Sequence, residues 1–154
     1  MESLANGRCR AGKDAGAHLV LGWDPAAREA SALLLRLGLK VTVVARERPE
    51  GLAARARWVK GEPSEPEALR RGGAETADAI LVALPLAEAR AAIAAAGRLN
   101  GRARILASAR EAGSEPALRS VGAHLAVDAR AEAARAMARA MLAEGPLARS
   151  EEKG

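Results

Sequence analysis

From residue 18 onward, short aliphatic runs alternate with longer amphipathic stretches. The runs at 18–21, 40–44, 57–59, 79–84, 104–107 and 124–127 have the length and composition of strands. The intervals at 25–37, 49–56, 66–71, 85–99, 114–121 and 129 to about 143 carry helical periodicity. Four of these open at or beside a proline (Pro25, Pro49, Pro66, Pro85), a residue tolerated at the first helical position because its missing N–H has no partner there anyway. Gly38, Gly72, Gly73, Gly101 and Gly122 follow helices where left-handed caps are expected. Strands that alternate with helices require crossover connections, so the pattern predicts an α/β fold. The expected architecture is a Rossmann-like, doubly wound, parallel six-stranded sheet with helices on both faces.

Outside this pattern, residues 1–17 are small, polar and aperiodic, and read as an arm or linker. Residues 144–154 read as a disordered tail. The last helix, 129–143, is apolar on more faces than packing on one sheet would need, with Met137 and Met141 one turn apart and Leu142 beside them. Two readings stay open for it: it packs back over the sheet edge, or it crosses to a second subunit. The domain plan is therefore an arm (1–17), a lobe (18–128), a crossover or dimerisation helix (129–143) and a tail (144–154).

Composition narrows the functions. With 154 residues the chain accommodates one compact domain, too little for a cofactor domain plus a substrate domain. Tyr and Phe are absent, which excludes chemistry that needs a phenol. The net charge of +5 would suit an acidic partner, but the arginines are dispersed among Glu and Ala, and the stacking aromatics of single-strand and RNA binders are missing. Nucleic acid is not an expected partner. Cys9 stands alone, so neither a disulfide framework nor a Cys/His metal site is expected. The longest apolar runs are far short of the ~20 residues of a membrane helix, and residues 1–16 have no signal-peptide core.

Candidate chemistry belongs where an open α/β sheet reverses strand order, beyond the carboxyl ends of its strands. The first such turn reads Gly22-Trp23-Asp24-Pro25-Ala26-Ala27, against the G-x-G-x-x-G of a dinucleotide fingerprint. Only the first glycine is present. Asp24 before Pro25 has the form of an N-cap, and a carboxylate there competes with a phosphate for the same N–H groups and the same end of the helix dipole. After the second strand Ala45 stands where a ribose-binding acid is expected, followed by Arg46, and Glu62 follows the third strand, placed either to cap the helix from Pro66 or to face a ligand. Gly22, Trp23, Asp24, Arg46 and Glu62 are thus the candidate ligand-binding residues. No catalytic set emerges: no serine lies in a G-x-S-x-G elbow, and His18 and His124 begin strands.

The ordered segments His18-Leu19-Val20-Leu21-Gly22-Trp23, Val41-Thr42-Val43-Val44 and Trp58-Val59-Lys60-Gly61-Glu62-Pro63-Ser64 resemble the N-terminal lobe of RCK domains (regulator of K+ conductance), also called TrkA-N or KTN domains. Glu67-Ala68-Leu69 through Ala77-Asp78-Ala79-Ile80-Leu81-Val82, and Gly122-Ala123 before the last strand, extend the resemblance over residues 18–142. It implies a cytosolic, non-enzymatic sensing module that forms homodimers, often in octameric rings, at the inner face of the membrane, and gates a potassium channel or transporter. It also implies that the last helix crosses between subunits, with Met137, Met141 and Leu142 in the assembly. The chain departs from the family's nucleotide-binding pattern, having lost both the full glycine fingerprint and the acid after the second strand. The cofactor is therefore undefined, with an adenine nucleotide left open. The stretches that carry acids in calcium-gated relatives, 82–85 and 106–110, contain none, so no metal site is expected. The alternative function is an adenine-nucleotide or NAD sensor not tied to a channel.

Overall fold

The computed structural model describes residues 16–144. The expected arm and tail lie outside this range apart from Gly16, Ala17 and Glu144. Six strands form one sheet: β1 (Ala17–Gly22), β2 (Lys40–Ala45), β3 (Arg57–Lys60), β4 (Ala79–Ala83), β5 (Arg104–Ser108) and β6 (Leu125–Val127). Every pairing is parallel and the order is β3-β2-β1-β4-β5-β6. Strand order reverses between β1 and β4, so the switch point lies beyond Gly22 and Ala83, which are paired in register.

Helices α1 (Pro25–Arg36), α2 (Pro66–Arg71), α3 (Leu86–Leu99), α4 (Glu115–Ser120) and α5 (Ala129–Glu144) connect or follow the strands, with a 3-10 turn at Ala74–Thr76. Because both faces of a parallel sheet are covered, its strands read as continuous apolar runs whose alternate residues enter different cores. Leu19, Leu21, Val44, Ile80, Val82 and Ile105 pack towards α2, α3 and α4. Val20, Val41 and Val43 pack with Ala27 and Leu35 of α1 on the other side. Leu21, Val43, Val44, Ile80 and Val82 are completely buried.

Several local expectations change. No helix forms over 49–56, where the chain is a series of turns. Gly51 takes a left-handed φ of 79°, and Leu52 and Ala56 donate to Pro49 and Ala53, three residues back rather than four. Trp23 Nε1 also claims the Glu50 carbonyl at 2.8 Å, an acceptor that a helical ladder would have used. Pro85 is the N-cap of α3, not its first residue. The free Leu86 N–H there is met by Glu111 Oε2 at 3.3 Å, a carboxylate well placed for the helix dipole. Gly38, Gly73 and Gly122 are left-handed, whereas Gly72 (φ −82°) and Gly101 are not.

Asp128 starts α5, accepting from Ala131 N–H at 3.1 Å through Oδ1 and from Glu132 N–H at 2.9 Å through its carbonyl. The helix then leaves the sheet. None of its described positions is buried, and Met137, Met141 and Leu142 are 61%, 77% and 84% exposed. Within one chain, then, it does not pack back over the sheet edge. No helix among the described residues is long and apolar enough to cross a membrane.

Candidate functional site

The carboxyl ends of β1, β2 and β4 surround a cleft of ≈ 420 Å³, lined by Gly22, Trp23, Arg46, Arg48, Glu88 and Arg110 among others. Gly22 has φ 85°, and a Cβ placed on it would lie 2.3 Å from the Ala83 carbonyl and 2.5 Å from Leu84 Cδ2. The one glycine retained from the fingerprint is therefore required by the close approach of β1 to β4, independently of any ligand.

Arg46 and Glu62 close one side. Arg46 Nε and Nη2 donate to Glu62 Oε1 and Oε2 at 2.6 and 2.9 Å, a bidentate pair, and Nη2 also reaches Glu88 Oε1 at 3.4 Å. The hydrogen bond from Arg46, with its charge, holds the Glu62 carboxyl below the usual carboxylate range against a smaller opposing effect of partial burial. The same bond and the charges of Glu62 and Glu88 raise the Arg46 pKa. Glu62 therefore pairs across the mouth and does not cap α2, whose N-cap is Glu65. The Ala45 carbonyl at the end of β2 is also taken, by Trp58 Nε1 and by Gly61 N–H, both at 3.1 Å. Arg48 lies over the Trp58 ring, 5.8 Å from its centroid.

Asp24 does not line this cleft but the adjoining cavity on the β5 side. Its Oδ1 accepts from Ala27 N–H at 2.7 Å, the N-cap bond of α1, and its Oδ2 accepts from Ser108 Oγ at 2.9 Å. Arg110 Nε stands 3.5 Å from the same Oδ2. The Arg110 Nη2 donates to Trp23 O at 2.9 Å and to Ala83 O at 3.1 Å, spanning the switch point between β1 and β4. Beyond it lies that adjoining cavity, of ≈ 460 Å³, lined by Asp24, Pro25, Ser108, Arg110, Asp128 and Arg130 among others. Arg110 borders both spaces. Its carbonyl accepts from Arg130 Nη2 at 2.7 Å, tying the first turn of α5 to the end of β5.

The structure thus brings Gly22, Trp23 and Arg46 to one cleft, with Glu62 bonded to Arg46, and turns the Asp24 carboxylate towards β5. Ser108 and Arg110 were not singled out by sequence reasoning. The signal available for them was their position at the end of the fifth strand, where a crevice wall is expected. Among the described residues no group of three or more His, Cys, Asp or Glu side chains could hold a metal ion.

A pyrophosphate-bearing cofactor does not fit these residues. In this fold such a group sits against the N–H groups at the start of the first helix, and here the Asp24 carboxylate already accepts one of them and adds a like charge.

This is a doubly wound α/β domain with a crevice at its switch point, the place where open α/β sheets bind ligands. A family model for the TrkA-N domain matches residues 18–129, and the chain belongs to that family. The TrkA-N domain of the inner membrane protein ybaL from Escherichia coli superposes with a TM-score of 0.71 at 21% identity, over 82% of this chain and 96% of that one. The Kef CTD of Shewanella denitrificans in its AMP-bound form gives 0.71 at 14% identity, over 89% and 87%. The GsuK channel bound to NAD gives 0.64 at 22% identity, covering 73% of this chain but only 21% of the channel chain. At these identities the superpositions establish the fold. Comparison with curated protein sequences gives no match.

Proposed function

We propose that this chain is a cytoplasmic, non-catalytic regulatory domain of a prokaryotic potassium channel or potassium transporter, acting through dimer or ring assembly. The observation that carries the proposal is α5, a 16-residue helix with no buried position among those described and three large apolar side chains near its end. An isolated helix of this length is marginal in water and takes most of its stability from packing, so it calls for a partner surface. A second copy of the same chain supplies one by two-fold symmetry. Membership of the TrkA-N family, and the fold shared with a channel domain and the Kef CTD, support the link to ion movement. Residues 18–128 form the sensing lobe and 129–143 the crossover helix. The ligand position is the cleft at Gly22, Trp23 and Arg46, with Glu62 holding Arg46 and Asp24 on the adjoining cavity, and a ligand acts there by favouring one arrangement of the dimer over another.

Sedimentation velocity over a range of concentrations tests the assembly. The expected result is a dimer or larger species that dissociates when Met137 and Met141 are both changed to Gln, at unchanged helical content. A wild-type chain that stays monomeric at the highest concentration sinks the proposal. The competing reading is an adenine-nucleotide sensor without a pore, favoured by the NAD and AMP bound to GsuK and to the Kef CTD. The occupied N-terminus of α1 weighs against it.

A further inference from the structure

We propose that Asp24 and Arg110 form a built-in partition that takes the place of a ligand's diphosphate, dividing the crevice into two compartments and excluding dinucleotides from this TrkA-N domain. The proposal rests on the reading of the cleft as the sensing site and specifies what it rejects. Three features carry it.

First, the anion seat is filled from within. The Asp24 side chain is only 9% exposed, and both of its oxygens are used: Oδ1 accepts from Ala27 N–H at 2.7 Å, and Oδ2 accepts from Ser108 Oγ at 2.9 Å and has Arg110 Nε 3.5 Å away. These are the donors a phosphate would need: a backbone N–H at a helix N-terminus, a hydroxyl and a guanidinium. The carboxylate is hydrogen-bonded to the first two and balances the charge of the third, Arg110 Nε, which stands at 3.5 Å without a hydrogen bond of its own.

Second, the path across the switch point is bridged. A dinucleotide lies along the crevice with its diphosphate at the crossing between β1 and β4. Arg110 Nη2 is hydrogen-bonded there to carbonyls on both sides, Trp23 O and Ala83 O. It separates the ≈ 420 Å³ cleft from the ≈ 460 Å³ cavity and borders each. Third, the electrostatics offer a polyanion nothing net. Arg46, Arg48 and Arg110 line the cleft together with Glu47, Glu50 and Glu88, and Arg46 is already paired with Glu62.

Removing the carboxylate frees Ser108 Oγ and leaves the Arg110 guanidinium without its counter-charge, and Asp24→Gly also frees the Ala27 N–H, so loss of one side chain is expected to create a binding function. Asp24→Gly and Asp24→Ser both keep a residue type acceptable at an N-cap, and Ser keeps a cap acceptor without the charge. NADH fluorescence titration and calorimetry with ADP are made on the full chain and each variant, with circular dichroism to verify folding. Wild type is expected to give no saturation up to about 1 mM, and the variants to bind at least about tenfold more tightly, a change of ~1.4 kcal/mol. Adding Arg110→Ala to Asp24→Gly is expected to abolish the gain, because the freed guanidinium supplies part of it. Saturable wild-type binding of NADH or ADP in the micromolar range overturns the proposal. So does the failure of folded Asp24→Gly, in which no side chain occupies the cap, to gain affinity. Neither readout depends on oligomeric state, so failure of the assembly reading leaves this test standing, and the converse also holds.

Discussion

Asp24 Oδ2 and Ser108 Oγ are 2.9 Å apart although 84 residues separate them in the chain. Their bond joins the turn after β1 to the last residue of β5 across the end of β4, and it gives a partly buried carboxylate a second donor besides the cap of α1. A hydrogen bond to a charged, partly buried acceptor contributes more than a neutral one. Ser108→Ala is therefore expected to destabilise the fold by about 1–2 kcal/mol. Asp24→Ala removes the cap as well and leaves Arg110 without its counter-charge, so its cost is expected to be larger, about 2–3 kcal/mol. Urea unfolding of the two variants checks the ranking, and equal losses would count against the arrangement.

Gly22 and Gly97 respond in opposite directions to the same change. A methyl at Gly22 meets the Ala83 carbonyl and adopts a left-handed φ, so Gly22→Ala is expected to cost more than about 2 kcal/mol. Gly97 lies exposed within α3 with nothing near its missing side chain. Gly97→Ala is expected to stabilise by about 0.5–1 kcal/mol through helix propensity alone. Thermal unfolding midpoints of the two variants should move apart from the wild-type value.

Asn100 works at the other end of the sheet. Its Nδ2 donates to Ala74 O and Ala77 O at 2.9 and 3.0 Å, and its Oδ1 accepts from Arg102 and Ala103 N–H at 2.9 and 3.1 Å. Buried and fully bonded, it ties the end of α3 to the turn before β4. Asn100→Ala leaves these backbone groups short of partners at a cost of about 2–4 kcal/mol, and Asn100→Asp, which lacks the donor, is expected to recover little. Hydrogen exchange should rise first at the start of β5, where the Asn100 carbonyl oxygen holds two amides. Unchanged protection there would refute the role.

The Arg46–Glu62 pair sets a pH dependence with a definite sign. Because the folded state holds the Glu62 pKa below its unfolded value, the contribution is fully present above the unfolded value, about 4.3 for a free Glu. It is lost as pH falls from there through the lowered folded value. The side chains are 55% and 32% exposed, so the contribution is modest and salt screens it. Glu62→Gln is expected to flatten the acid limb of the stability profile by a modest loss of stability near neutral pH, the two profiles meeting at low pH, and roughly 1 M salt should act in the same direction. An acid limb of unchanged slope in the variant would show that the pair contributes nothing to folding.

What the amino-acid sequence determined alone is the set of features carried by local patterns. Six aliphatic runs alternating with helices are enough for a parallel sheet, because parallel neighbours need crossovers. The N-cap role of Asp24 is equally local, since the bond to Ala27 N–H spans three residues. The failure over 49–56 is instructive: proline, alanines and arginines there have a helical pattern, but Gly51 turns left-handed and Trp23, a distant residue, takes the Glu50 carbonyl. Arg46 and Glu62 were each legible as strand-end residues, yet their pairing follows from the β2–β3 register, which places Ala45 beside Lys60. Ser108 and Arg110 were not legible at all as partners of Asp24. Strand order puts β4 between β1 and β5, and only that tertiary arrangement brings the ends of all three to one point. Local chemistry decided which groups need partners, and the sheet decided which partners they find.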